Sequence, residues 1–260
     1  MSNEELKSQA NTYTGVVGFF DILGYQNLLE KNEPEDIAQK VLPILTGLNA
    51  SVSAEMTKLG EVFRQMAESS MKDSIVKLHK QIVDSIQWLI FSDTILLAMP
   101  MEDNTKTPPY WVTFFLACIS IQTQMFRSGL PLRGAISFGK YFLKDTCFAG
   151  KSIIEAHQLC YQLELAACVL TEKVSREINK LKGDMRDTFF FNYLVPTKEG
   201  EMHLDTLAAH YLVPSGKNIR STIMECFWGH NKDIPISASA KVSNTEQWLT
   251  FLKMKEKKNT

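Results

Sequence analysis

The sequence predicts an α+β fold in which helices flank a mostly antiparallel sheet. Short apolar runs such as VVGFFD and QWLIF are rich in β-branched and aromatic residues, which is typical of strands. Longer segments repeat apolar residues at helical spacing. Strands also follow one another directly in places, which favours hairpins and therefore an antiparallel sheet.

The first half of the chain is predicted to contain a strand, several helices and a hairpin. Residues 14–22 form the strand, and a turn that opens into a short helix follows them. Pro34 suits the first turn of another helix, and helical spacing continues well beyond it. Residues 81–100 are expected to form two strands that meet at Ser92-Asp93, and residues 103–109 to form a loop.

The second half is predicted to alternate helices and strands. Residues 111–126 are apolar, long and followed by Arg-Ser-Gly, which favours a buried helix over a strand. The remaining elements are a hairpin around Gly139-Lys140, a helix from Gly150, a strand at 167–171, a helix at 174–182 and a strand at 189–195. A βααββαβ core of ferredoxin-like type fits the whole order best.

The domain organisation follows from these elements. We expect one domain over residues 14–197 and a polar segment over residues 1–13. Residues 198–260 are weakly patterned, and we expect them to be a C-terminal extension that packs on the same domain or continues it.

Composition narrows the classes of function. The net charge of −1 argues against a general nucleic-acid binder, which needs a basic face to displace counterions from phosphates. The sequence has no apolar stretch long enough for a bilayer, and its polar start lacks a signal-peptide core. Five cysteines without a CxxC pair indicate a reduced, cytoplasmic protein without structural zinc. Neither GxGxxG nor GxxxxGK[ST] is present, which disfavours dinucleotide-binding and P-loop folds.

Two aspartates stand beside strongly apolar strand segments. Asp21 ends VVGFFD, and Asp93 lies inside IQWLIFSDTILLAM. A carboxylate at the end of a buried strand is costly unless a cation or hydrogen bonds compensate it. Mg²⁺ and Mn²⁺ bind through one or two carboxylates and leave room for water and phosphate oxygens. The two aspartates are therefore candidate halves of one divalent-cation site.

Several motifs around these aspartates resemble those of class III nucleotidyl cyclase domains. Residues 20–25 (FDILGY) resemble the F-x-D-I-x-G-F opening of the family, and residues 91–93 (FSD) resemble its I-G-D hairpin. Residues 132–136 (LRGAI) with Gly139 resemble the R-x-G-I-x-x-G strand, and Gly150 with the following helix resembles the last motif. The match covers roughly residues 14–175, with the motifs in family order.

The resemblance implies a chemistry for these residues. Asp21 and Asp93 would hold two Mn²⁺ or Mg²⁺ ions, and the backbone carbonyl of Ile22 would be a further metal ligand. The backbone N–H groups from Ile22 to Tyr25, including those of Leu23 and Gly24, would bind the β- and γ-phosphates beside Phe20.

Arg133 opens the strand of the third motif. It is expected to contact phosphate or a neighbouring carboxylate, or else to keep its guanidinium in solvent. From the sequence alone, removal of either aspartate is expected to relieve repulsion between two carboxylates and to raise the stability of the metal-free protein.

The chain also departs from the family pattern. Leu89 and Cys147 occupy the positions that read the purine base, so the usual purine recognition is missing. Ile154 and Gln158 replace an asparagine and an arginine that stabilise the transition state. Either the domain is catalytically silent, or it belongs to a divergent branch. The segment AGKSIIEAHQLCYQLE is similar to a helix of the pyrimidine cyclases in bacterial Pycsar antiphage systems, which favours the active branch.

Three functions therefore compete. The first is a metal-dependent cyclase that converts UTP, or CTP, to the 3′,5′-cyclic nucleotide and acts through a cyclic-nucleotide-sensing effector. The second is a silent nucleotide-binding or interaction module, and the third is a palm-like nucleotidyl transferase, which the neutral charge disfavours. The resemblance further implies a homodimer with its active sites at the interface.

Overall fold

A computed structural model describes residues 11–66, 72–102, 105–144, 147–181, 185–209, 212–233 and 236–259. Within these ranges the chain forms one eight-stranded sheet in the order β2-β3-β1-β4-β6-β8-β7, with β5 paired to the end of β4. The strands are β1 (Asn11–Ile22), β2 (Gln87–Phe91), β3 (Thr94–Pro100), β4 (Leu132–Lys144), β5 (Cys147–Ala149), β6 (Cys168–Leu170), β7 (Phe190–Thr197) and β8 (Gly200–Leu207). The β4–β6 pair is parallel, and the other pairs are antiparallel.

Helices connect and cover the strands. They are α1 (Tyr25–Lys31), α2 (Pro34–Lys40), α3 (Leu42–Met66), α4 (Lys72–Asp84), α5 (Pro108–Arg127), α6 (Lys151–Gln162), α7 (Glu172–Asn179), α8 (Met185–Phe189), α9 (Ile219–Phe227) and α10 (Ile236–Asn259), with a short 3₁₀ turn at Gly229–Asn231. In the described part of the chain, no helix combines the length and the apolar character that a membrane span requires.

The sheet separates two hydrophobic cores. Successive residues of β1 alternate between them: Phe20 belongs to the core that α3, α4 and α5 cover, and Phe19 to the core that α6, α9 and α10 cover. Side chains on a strand point to opposite faces in turn. Because both faces of β1 are buried, its sequence is a continuous apolar run rather than an alternating one.

The predicted fold class is confirmed: the protein is α+β, with a mostly antiparallel sheet between helices. Pro34 begins α2 as expected, and the predicted buried helix at 111–126 lies within α5. The helix from Gly150 and the strands within 167–171 and 189–195 also form. Strand β1 begins at Asn11, inside the polar segment expected over residues 1–13.

Three local predictions were wrong. The chain does not turn at Gly139-Lys140, because β4 continues through both residues and Gly139 pairs directly with Gly15 of β1. A Cβ at Gly139 would lie 3.1 Å from Lys173 Nζ, so this glycine makes room rather than a turn. Residues 81–84 end helix α4 instead of starting a strand, and α5 begins at Pro108 inside the expected loop, of which residues 103 and 104 lie outside the described residues.

The chain after Lys198 contains more regular secondary structure than its weakly patterned sequence predicted. It forms β8, α9 and α10, and Trp248 and Leu252 of α10 are buried in the second core. The Trp248 indole N–H donates to the Thr206 hydroxyl of β8 at 3.3 Å. Helix α10 therefore packs against the same sheet that carries the predicted motifs.

The β2–β3 hairpin closes through a two-residue loop, because Phe91 pairs with Thr94 and leaves Ser92 and Asp93 between them. Ser92 has a φ of 55°, in the left-handed region that L-residues other than Asn and Asp seldom adopt. Two-residue hairpin loops of this kind favour glycine at the first position. The hairpin therefore positions Asp93 through a turn in which Ser92 has an unfavourable backbone conformation.

We predict that Ser92→Gly raises the free energy of unfolding by about 0.5 kcal/mol, since relief of the left-handed strain outweighs the greater entropy of glycine in the unfolded chain. Ser92→Val should lower it by about 1 kcal/mol or more, because a β-branched residue disfavours positive φ. Urea denaturation measures both. Ser92 is exposed, so neither change alters core packing. Equal stability of the two variants would contradict the role given to this turn.

Candidate active site

The sheet brings the two predicted carboxylates to the same end of neighbouring strands. Asp21 is the penultimate residue of β1 and pairs with Thr94 of β3, next to Asp93 in the hairpin loop. The Ile22 N–H donates to the Asp93 carbonyl at 3.0 Å, which ties the end of β1 to the loop. Burial raises the pKa of Asp21, and the Asp93 charge adds to that rise, so the two carboxylates influence each other electrostatically.

A cavity of about 560 Å³ lies over these strand ends. Its walls include most of the residues that the sequence identified: Asp21, Ile22, Leu23, Gly24, Tyr25, Asp93 and Arg133. Other parts of its wall come from α1, from α6 and from the C-terminal part of the chain, and these are Gln26, Asn27, Glu30, Tyr161, Phe227, Lys232, Asp233, Ala238 and Lys241. Both carboxylates and several cationic side chains therefore surround one space that is large enough for a small molecule.

Arg133 binds the first carboxylate directly. It pairs with Asp21 across the β1–β4 ladder, and its Nε–H donates to Asp21 Oδ2 at 2.7 Å. Its Nη1–H donates to the Tyr161 carbonyl at 3.2 Å, and its guanidinium lies 5.0 Å from the Tyr161 ring centroid. Arg133 is 8% exposed, so the alternative of a guanidinium in solvent is excluded. Burial raises the pKa of Asp21 from its usual value, and the charge of Arg133 opposes that rise.

The loop after Asp21 is only partly available to a ligand. The Ile22 N–H is bound to the Asp93 carbonyl, and the Leu23 N–H donates to the Pro131 carbonyl at 2.8 Å. These two donors are therefore occupied, contrary to the phosphate cradle expected from the sequence. Gly24 has a φ of 79° and precedes α1, so it needs to be glycine for the chain to turn from strand to helix. The other two of the four expected donors are the N–H groups of Gly24 and Tyr25. In the part of the chain that the structure describes, neither donates to a sheet or loop carbonyl.

Three residues predicted at the nucleotide site lie elsewhere. Phe20 is fully buried in the first core, because its side chain points to the α3–α5 face of β1. Leu89 is partly buried on β2 against the second core, and Cys147 is exposed on β5. On α6, Ile154 is 55% exposed, and Gln158 is exposed as well. One chain therefore does not bring these positions to the carboxylate cavity.

Sequence reasoning missed the contribution of the C-terminal part of the chain. Lys232 lines the cavity although it is only 4% exposed, and burial lowers its pKa to about 8. Lys241 of α10 also lines the cavity and forms an ion pair with Glu164 at 3.4 Å. Both lysines lie within the weakly patterned segment 198–260, where the sequence offers no motif that distinguishes them from surface lysines.

The donor atoms at the carboxylate end of the cavity fit a hard divalent cation. They are carboxylate oxygens of Asp21 and Asp93 and backbone oxygens of the same segment, without nitrogen or sulfur. Within the described ranges, no group of three or more His, Cys, Asp or Glu side chains could hold a metal ion. A cation bound here would therefore take the rest of its ligands from water or from substrate oxygens.

Comparison with known proteins gives similarity at the level of solved structures. No protein-family model matches the sequence, and no curated protein does. The monomeric guanylyl cyclase domain of the RhoGC fusion protein from the aquatic fungus Blastocladiella emersonii aligns at 13% identity and a TM-score of 0.47, over 75% of this chain and 99% of that one. The adenylyl cyclase CyaB from P. aeruginosa aligns at 15% identity and a TM-score of 0.45, over 76% of this chain and 95% of that one. With identities this low, function has to be inferred from the site itself.

We predict that the two aspartates differ in their effect on stability. Asp21→Ala should lower the free energy of unfolding by roughly 1 to 3 kcal/mol, because it leaves the buried Arg133 without its carboxylate. Asp93→Ala should change stability by less than about 0.5 kcal/mol, since it removes one of two repelling charges at a partly exposed turn. The sequence alone predicted that removal of Asp21 raises stability. Because of the ion pair with Arg133, we now expect the opposite for this residue. Thermal and urea denaturation of the metal-free variants provide the measurement.

A double variant isolates the ion pair. Arg133→Met in the Asp21→Ala background should recover part of the lost stability, because no uncompensated buried charge then remains. If Asp21→Ala is as stable as Asp93→Ala, the ion pair does not have the role described here.

Proposed function

We propose that this protein is a metal-dependent pyrimidine nucleotide cyclase, which converts UTP or CTP to the 3′,5′-cyclic nucleotide and pyrophosphate. The observation that carries the proposal is the pair of carboxylates, Asp21 and Asp93, at neighbouring strand ends in one cavity with buried cations. The order of the surrounding motifs along the chain supports the same chemistry.

The reaction is an intramolecular displacement. The 3′-hydroxyl oxygen forms a bond to the α-phosphorus, and the bond from that phosphorus to the bridging oxygen breaks, so that pyrophosphate leaves with the electron pair. The hydroxyl proton passes to water. Two Mn²⁺ or Mg²⁺ ions, when bound, supply activation of the hydroxyl and neutralisation of the phosphates. Asp21, Asp93 and the Ile22 carbonyl are the groups of this chain that would hold them.

Arg133 determines how Asp21 can act. Its Nε–H donates to Asp21 Oδ2, which leaves Oδ1 and the second lone pair of Oδ2 for a cation. The guanidinium also offsets part of the cost of burying this carboxylate and so favours its ionised form. A deprotonated Asp21 held in one orientation is what a metal ligand requires.

The proposal of a pyrimidine substrate rests on the residues that would read a purine. Leu89 has no polar atom that could bond a purine edge, and Cys147 is a weak hydrogen-bonding group. The solved structures named above are guanylyl and adenylyl cyclases by their descriptions, and a change of base relative to them is part of the proposal. We also propose that the protein is reduced and cytoplasmic. Its product would be sensed by a separate effector in antiphage defence.

We further propose a homodimer with active sites at the interface. The positions aligned with base recognition and transition-state stabilisation lie on β2, β5 and α6, away from the carboxylate cavity of the same chain. A second copy would have to bring them there. Phe91, which is 75% exposed beside Asp93 in the hairpin, and the exposed Ile154 of α6 are apolar side chains that such an interface would cover.

A second candidate is a catalytically silent module that binds nucleotide in the same cavity. It is favoured by Ile154 and Gln158 on α6, where an exposed isoleucine cannot donate a hydrogen bond and a glutamine carries no charge. Loss of an arginine from a phosphoryl-transfer site removes much of the rate.

Incubation with each of the four NTPs and Mn²⁺, followed by chromatography, tests the function. We expect a cyclic mononucleotide that disappears with EDTA and persists with a zinc-specific chelator. Asp93→Asn and Asp21→Asn should each lower kcat/KM by more than about a hundredfold, because each removes a ligand that positions positive charge on the phosphates. Asp36→Asn, a matched change at an exposed ion pair on α2, should retain activity. Bound but unchanged nucleotide would favour the silent module.

The base preference is a separate prediction. We expect kcat/KM at fixed Mn²⁺ to be highest for UTP, then CTP, with ATP and GTP poor. An apolar wall such as Leu89 discriminates by only about 1–3 kcal/mol, so ratios of about 10 to 200 are expected unless further polar contacts form. A clear preference for ATP or GTP would contradict the pyrimidine assignment and leave the cyclase proposal standing.

A further inference from the structure

Lys232 is a buried cation without a buried anion to match it. It is 4% exposed, and its ammonium group donates to the Gly129 carbonyl at 2.7 Å and to the Cys226 carbonyl at 3.3 Å. Among the residues that the structure describes, these carbonyls are its hydrogen-bond partners, and no carboxylate pairs with it. An ammonium has three N–H donors, so one remains. The two carbonyls lie in the last turn of α9 and just after the end of α5, where helix ends favour a cation, and they offset part of the cost of burying this charge. An anion in the cavity would offset more of it.

The chain holds Lys232 in this position at a conformational cost. His230 and Asn231, directly before it, have φ values of 58° and 56°, in the left-handed region. Strained backbone of this kind persists only where the surroundings enforce it, and it concentrates at functional sites. Gly129 and Gly229 cross so closely that a Cβ on Gly229 would lie 3.1 Å from the Gly129 Cα. This crossing brings the Gly129 carbonyl within reach of the lysine.

Polar contacts fasten the same segment to the loop and helix beside Asp21. The His230 carbonyl accepts from Asn32 Nδ2 at 2.8 Å, and the Asp233 N–H donates to Asn27 Oδ1 at 2.9 Å. The Asp233 carboxylate, which also lines the cavity, is exposed and pairs with Lys31 of α1 at 2.8 Å. The segment is therefore fixed against α1, and the position of Lys232 in the cavity wall is fixed with it.

The location of Lys232 identifies the missing anion. Its side chain runs beside the loop that follows Asp21, since a Cβ on Gly24 would lie 3.8 Å from Lys232 Cδ. It lines the same cavity as Asp21 and Asp93. Phosphate oxygens bind both divalent cations and lysine ammonium groups. A polyphosphate is therefore the kind of ligand that could contact the carboxylate-bound cations and Lys232 together.

We propose that Lys232 binds the triphosphate of the substrate from within the same chain and supplies cationic stabilisation that Gln158 does not. This inference rests on the proposed cyclase function, and it assigns to the C-terminal extension a part of the active site. Lys232 holds its charge close to the phosphates that become pyrophosphate, where negative charge accumulates as the bond to the α-phosphorus breaks. Lys241 lines the same wall, but its ion pair with Glu164 already compensates its charge.

Calorimetric titration of the full-length protein with inorganic tripolyphosphate at fixed Mg²⁺ tests this proposal. Lys232→Met and Lys232→Gln should each weaken tripolyphosphate binding by about tenfold or more, because a charged hydrogen bond to phosphate is lost. The glutamine variant keeps a donor for the two carbonyls and separates loss of charge from loss of packing. Lys217→Met removes the same charge from an exposed ion pair elsewhere in the C-terminal extension and should change affinity by less than twofold. Mn²⁺ affinity, measured without phosphate, should not fall in any of the three.

The outcomes separate the possible failures. Unchanged tripolyphosphate affinity in both Lys232 variants overturns the proposal. An equal loss of Mn²⁺ and tripolyphosphate affinity, or loss of the fold in both variants, also overturns it, because the lysine then has only a structural role. If the expected pattern holds but the wild type produces no cyclic nucleotide, Lys232 is confirmed as a polyphosphate ligand and the cyclase function is wrong.

Discussion

The Asp21–Arg133 pair is the interaction on which the candidate site depends. The two residues face each other across β1 and β4, so the register of these strands fixes their separation. Without Arg133, a carboxylate at the end of a strand buried on both faces would be unfavourable and would tend to take up a proton. With it, the charged carboxylate lines the cavity, and oxygen lone pairs stay available for a cation. The ladder between β1 and β3 then sets the hairpin loop of Asp93 beside it.

Much of this arrangement could be predicted from the sequence because it depends on local patterns. Continuous apolar runs revealed strands buried on both faces, and the carboxylates at their ends stood out against that background. Gly139 was misleading because a glycine that makes room and a glycine that makes a turn look the same in one sequence. The occupation of the Ile22 and Leu23 N–H groups was also not predictable, since their partners lie in loops distant along the chain.

The C-terminal wall of the cavity could not be predicted for a different physical reason. Lys232 depends on two strained residues, a glycine crossing and contacts to α1, all of which join segments far apart in sequence. None of these contacts produces a periodic pattern. A buried lysine also looks like any other lysine until its surroundings are known. Sequence motifs therefore found both carboxylates and Arg133, and the structure was needed to find Lys232 and Lys241.

The distribution of charge in the cavity supports the proposed ligand, a metal-bound polyphosphate. Asp21 and Asp93 repel a free triphosphate, and Lys232 and Arg133 repel a free divalent cation. A cation and a polyphosphate that arrive together would satisfy both sets of groups, since Asp21 and Asp93 would hold the metal and Lys232 would bind phosphate oxygens. On this proposal, the bound phosphate would add to the two carbonyls that already bond Lys232 and would offset more of the cost of its burial. Such a site would favour the complex of metal and nucleotide, which is the form that the proposed reaction consumes.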